Sequence, residues 1–205
     1  MFKQTLCATA TCAALLLPTA SSAAIAAAPP VVQEAAPEAE APPSADFVLA
    51  NLDSVSPLNL IYVASEQWSV GNRLQAAFWY YVWQIRTEPW AVAESGFSEP
   101  RAAINQSVGT TINGWIFSDP ELMYEISERA ISYEAKLPLW SRMPEGVTEP
   151  QWAELIASTR ATYARDLQES FVATPPDRIR ELRRQNGLAV GPLPDEGAPL
   201  PEEWR

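Results

Sequence analysis

The chain has 205 residues, 25 acidic against 14 basic, a net charge of −11 and no histidine, and its two cysteines, Cys7 and Cys12, fall within the first dozen residues. Beyond them the sequence offers no thiolate or imidazole for a metal site, a cysteine nucleophile, a Ser-His-Asp triad or a disulfide framework. The acidic balance is a poor match for nucleic-acid phosphate or anionic lipid, so no nucleic-acid partner is expected. With neither metal-ligand clusters nor phosphate loops in the sequence, no metal and no cofactor is expected either.

Met1-Phe2-Lys3 is a short positive start, followed by an apolar stretch from Leu6 to Leu17 that Pro18 ends. The small residues after it place a signal-peptidase site after Ala24 or Ala28. Residues 1–28 therefore read as a signal peptide, with an uncleaved anchor as the alternative. The Ala- and Thr-rich stretch is weak as a permanent span, so no stable membrane insertion is expected after cleavage. Thr9 stands before Cys12 where a lipoprotein signal wants Leu. Export to a bacterial periplasm, or secretion, is the expectation.

Residues 29–50 open with PPVVQEAAPEAEAPPSAD, which has too few large apolar side chains to offset the entropy of ordering, and are expected to be a disordered spacer. The following domain, 51–187, is expected to be all-α with five to six helices. Ser56-Pro57 is an N-cap with proline at the first helical position. The run LNLIYVASEQW carries a helical stripe, broken by Gly71-Asn72, with Asn72 available as the next cap. RLQAAFWYYVWQIR is apolar nearly all round and should be central. Pro89, Gly96 and Pro100 predict a loop, with the third helix opening at Ser98 or Glu99 and burying Ala103, Ile104, Val108, Ile112, Trp115 and Ile116.

Ser118-Asp119-Pro120-Glu121 predicts the start of a fourth helix with the stripe Leu122, Met123, Ile126, Ala130 and Tyr133 and an ion pair Glu125–Arg129. Thr148-Glu149-Pro150-Gln151 predicts a capping box opening a fifth helix through Trp152, Leu155, Ile156, Thr159, Tyr163 and Leu167. DRIRELRRQ forms a last short helix stopped by Asn186-Gly187. The stretch 188–205, rich in Pro, Gly and acid, is expected to be a loose tail.

Gly71, Ala76, Tyr80 and Trp83 follow a small/aromatic spacing that resembles one helix-turn-helix unit of tetratricopeptide and Sel1-like repeats; no second copy follows. FWYYVWQIR, VGTTINGWIFSDPELMYEISERAISYE and RRQNGL resemble landmarks of a family of exported bacterial helical proteins without assigned function, which implies one helical domain and no activity. Glu94-Ser95-Gly96, with Ser107-Val108-Gly109 downstream, is similar to the glutamate-serine signature of soluble lytic transglycosylases. That resemblance implies Glu94 as acid/base and Ser95 as its helper on peptidoglycan. The Gly-Leu-Met-Gln run expected after that signature is missing.

Trp68, Trp79, Trp83, Trp115 and Trp152 lie on apolar stripes and are expected in the core. Trp90, Trp140 and Trp204 fall in expected loops or tail, where contact with a partner is open to them. Gln84 and Arg86 end the most apolar helix, and Asn113 and Asp119 cluster near the end of helix three. A buried Arg86 needs a carboxylate, for which Asp119 or the acidic start of helix four is the candidate. Arg178, Arg180, Arg183 and Arg184 read as a solvated face. The expected function is a non-enzymatic protein-interaction or scaffolding module with a protein partner in the cell envelope, its candidate binding residues being Gln84, Arg86, Trp90, Asn113, Asp119 and Trp140. The alternative is a lytic transglycosylase-like enzyme using Glu94.

Overall fold

The computed structural model describes residues 42–204. The expected signal and most of the expected spacer lie outside the described residues. Those described form eight α-helices, two single 3-10 turns and one π-helical segment, with no strand among them. The all-α expectation holds.

Helix α3 (Arg73–Ala93) is the axis of the domain, and fourteen of its 21 residues are buried. It forms a hairpin with α2 (Leu60–Ser69) and packs against α6 (Pro120–Glu134), α7 (Glu149–Ala173) and α5 (Thr110–Ile116). An all-round apolar helix has no other way to leave water, which is why its sequence lacks a polar face. Gly71 makes the α2–α3 turn at a φ of +86°, a region that side chains other than glycine rarely adopt. Trp79, Trp83, Tyr80 and Phe78 are among the largest fully buried side chains.

Helix α3 also runs straight through Pro89, where the sequence predicts a loop. A proline inside a helix removes one hydrogen bond and costs about 3 kcal/mol. Here Trp90, one residue on, packs with Phe97, Trp152 and Ile156 in a second apolar cluster. Burying those rings offsets the cost and carries the helix past the proline. The expected third helix begins earlier, as α4 (Ser95–Ile104), and reaches α5 through the π-helical segment Asn105–Gly109.

Two terminal expectations are corrected. Ala45–Ala50, placed in the disordered spacer, is helix α1: Ser44 Oγ caps it, the Ala45 N–H donates to Glu66 Oε2 at 3.0 Å, and Ala45 and Val48 are buried. Residues 188–204, placed in a loose tail, form a strap against the helices after α8 (Pro176–Gln185), without α-helix and ending in the 3-10 turn Glu202–Trp204. Leu193 is 7% exposed, a burial that stabilises by about 2 kcal/mol. The strap's carbonyls accept from the domain: Pro194 O from Trp115 Nε1 at 2.9 Å, Glu196 O from Leu74 N at 3.0 Å, and Pro199 O from Gln75 Nε2 at 3.0 Å. Leu74 N is one of the orphan donors in the first turn of α3, so the strap caps that helix. The Asn72 side chain, expected in that role, makes no capping bond and accepts instead from Ala198 N at 3.1 Å.

The arginine cluster of α8 is also corrected, since Arg183 is buried. Its guanidinium donates to Ala189 O and Gly114 O, both at 2.8 Å, tying the start of the strap to α5. Burial alone, with no carboxylate beside it, holds this guanidinium below its ordinary pKa. Arg180 bridges Glu121 and Asp177 at the surface.

An aromatic and ionic crevice as candidate functional site

Three charged residues sit at the ends of three apolar stripes. Arg86 follows Phe78 and Val82 on α3, Glu134 follows Ile126 and Ala130 on α6, and Arg160 follows Trp152 and Ile156 on α7. Spacings of four and eight residues put each charge on its helix's buried face. Where the helices meet, Glu134 accepts from both guanidinia: Oε1 from Arg86 Nη1 at 3.1 Å and Arg160 Nη2 at 2.9 Å, and Oε2 from Arg160 Nε at 2.6 Å. The side chains of Arg86 and Glu134 are 3% and 2% exposed, and that of Arg160 is 25% exposed. Arg86 Nη2 also donates to Pro138 O. Burial pulls the Arg86 guanidinium below its usual pKa, and Glu134 opposes the shift.

Trp90, Trp140 and Trp152 wall the space beside this triad, together with Pro57, Ile85 and Leu139. Trp90 and Trp140 centroids are 4.7 Å apart, and Trp90 and Trp152 centroids 4.8 Å. The enclosed room is about 10 Å³, enough for roughly one water molecule. Arg142, from the connection between α6 and α7, lies over the rings of both Trp90 and Trp140, 5.1 and 5.2 Å from their centroids. Its Nη2 donates to Glu94 Oε1 at 2.7 Å. Glu94 stands at the joint of α3 and α4, and Ser95, beside it, is exposed.

Of the sequence-stated candidates, the structure thus gathers Arg86, Trp90 and Trp140, with Glu94 linked through Arg142. Trp90, expected in an exposed loop, is buried, and Trp140 is half-buried. Arg86 pairs with Glu134, at the opposite end of α6 from the expected partner Asp119. Asp119 caps α6 instead, its Oδ1 accepting from Leu122 N at 3.2 Å. Asn113 accepts from the Tyr81 hydroxyl at 3.2 Å.

Gln84 belongs to a separate polar knot. Its Nε2 donates to Tyr80 Oη at 2.6 Å and Asn105 Oδ1 at 3.0 Å, and its Oε1 accepts from Tyr163 Oη at 2.9 Å. Tyr80 Oη donates to Asn105. Arg101 flanks the knot, pairing with Glu88 at 2.6 Å and donating to Thr87 Oγ1 at 2.9 Å. Burial raises the pKa values of Tyr80, Tyr81 and Tyr163 above the ordinary phenol range, Tyr81 far above it. Sequence reasoning missed Glu134, Arg142, Arg160 and the Tyr80–Asn105–Tyr163 knot. The stripe spacing was available to find Glu134 and Arg160; nothing local announces Arg142 or Asn105.

No family model, curated protein or solved structure matches this chain. Among the described residues there is no group of His, Cys, Asp or Glu able to hold a metal ion, and no helix long and apolar enough to cross a membrane.

Proposed function

We propose that the protein is an exported, non-enzymatic interaction module of a bacterial cell envelope, acting through contacts with a protein partner in the periplasm or outside the cell. The observation that carries this reading is the pairing of Glu94 with Arg142. The sequence's strongest candidate for an acid catalyst is a carboxylate held at 2.7 Å by a guanidinium that also lies over Trp90 and Trp140. Through that bond Glu94 ties the α3–α4 joint to the α6–α7 connection. The Arg86–Glu134–Arg160 triad likewise joins three helices.

Crosslinked pull-down of the tagged, exported chain from its native envelope, read by mass spectrometry, tests the reading. A reproducible protein partner is expected. Recovery of glycan fragments without one would move the assignment to the Glu94 alternative.

A further inference from the structure

The strap that closes the domain has the chemistry of a bound ligand. Its four prolines, Pro192, Pro194, Pro199 and Pro201, remove N–H groups, and four of its carbonyls are met by donors of the domain: Arg183 Nε, Trp115 Nε1, Leu74 N and Gln75 Nε2. Gly197 crosses the α2–α3 turn at a φ of +76°. A Cβ there would meet Gly71 O and come within 2.6 Å of Asn72 Cα, so only glycine fits. Asp195 pairs with Arg73 at 3.5 Å. At the end, Trp204 lies on Phe78 and Trp79 of α3 and faces Tyr133 of α6, at centroid distances of 4.9, 5.2 and 6.3 Å.

Backbone carbonyls read by fixed donors, prolines that lower the entropy of ordering, and one aromatic anchor in an aromatic wall are how proline-rich peptides are recognised. Apart from Leu193, the strap residues are half-buried or exposed, and no disulfide holds them. Lifting them would uncover Phe78, Trp79 and Tyr133 as a contiguous apolar patch of the kind that marks a binding surface.

We propose that the groove beneath the strap is a docking site for a proline-rich segment of another protein, extended ahead of a glycine and closing in a short turn that carries an aromatic anchor, and that the protein's own tail is the resident competitor. The occupant is inferred from the segment already seated there. The proposal names the partner chemistry of the interaction-module reading and rests on it.

The test uses the full chain with a protease site inserted between Gly187 and Leu188, and a fluorescein-labelled peptide of residues 192–204 as probe. After cleavage the probe is expected to bind at least about tenfold more tightly than to the uncut chain, because a tethered strap competes at an effective concentration on the order of millimolar. Probes carrying Trp204→Ala or Gly197→Ala should each lose at least about tenfold in affinity.

A cleaved chain that keeps its helical circular dichroism yet binds no probe overturns the proposal. So does a strap-exchanged dimer of this chain that the probe fails to dissociate. If cleavage unfolds the domain, the uncut Trp204→Ala chain decides: it should take up the wild-type probe better than its parent, and equal uptake overturns the proposal. The two readings fail separately. Envelope partners captured equally by the wild-type and Trp204→Ala chains would leave the module standing without this groove. Probe binding with no envelope partner would leave the groove without the module.

Discussion

Glu134 holds Arg86 across the core, Oε1 to Nη1 at 3.1 Å, with both side chains almost wholly out of water. A carboxylate so placed is needed as soon as the guanidinium is buried, because removing one partner of such a pair leaves an uncompensated charge. Glu134→Ala is therefore expected to lower unfolding stability by about 3–5 kcal/mol, read from the urea midpoint. Arg160→Ala, at the wetter side of the triad, should cost clearly less. Equal losses would mean that burial does not set the energetics of the triad.

Gly109→Ala tests the polar knot at the π-helical segment. A Cβ at Gly109 would run into Tyr80 Oη and lie 2.9 Å from Asn105 Oδ1. The Tyr80 ring is buried and cannot swing away, so overpacking of about 1–3 kcal/mol is expected, together with loss of the Gln84 bonds. Thermal unfolding and the amide signals of Gln84 and Asn105 in NMR check both halves.

Alkaline pH should weaken the fold. Tyr80, Tyr81 and Tyr163 have raised pKa values because burial disfavours the phenolate. The unfolded chain loses these protons near pH 10. Above that pH the unfolded state binds fewer protons than the native one, so their contribution is complete below about pH 10 and is lost as pH rises toward the folded-state values. Denaturant midpoints should be insensitive to these groups up to about pH 9 and fall beyond 10. Their ultraviolet ionisation signal should appear only with unfolding.

Much of the fold is legible in the sequence because it rests on local rules. The Asp119 cap, the Gln151 side chain closing back on Thr148, the Glu125–Arg129 pair and the central α3 follow from spacing and capping. The errors share a cause in tertiary override. Pro89, the residues of α1 and the strap all look disordering by composition, yet each is adjacent to a side chain that finds a distant apolar partner: Trp90 on Trp152, Val48 in the main core, Trp204 on Phe78. The candidate site was half legible. Arg86 at the end of an apolar stripe announced a buried charge, but its carboxylate lay on another helix's stripe, and the convergence of three stripes is a property of packing.

Trp204→Ala measures what the strap contributes to stability. Losing its ring contacts, each worth about 0.5–1.5 kcal/mol beyond burial, should lower stability by about 1–3 kcal/mol. Hydrogen exchange should quicken at Leu74 and Ala198, whose N–H groups bond across the strap, and little in α7. Unchanged exchange at both positions would mean that the ring does not secure the strap.

The central claim, that this domain works by contact and not by bond cleavage, meets its most direct test on isolated cell-wall sacculi. Purified wild-type and Glu94→Gln chains would be incubated with them and the released muropeptides quantified by mass spectrometry. Both chains are expected to release no more than buffer alone. Release by the wild type that Glu94→Gln abolishes would contradict the claim and make Glu94 the acid.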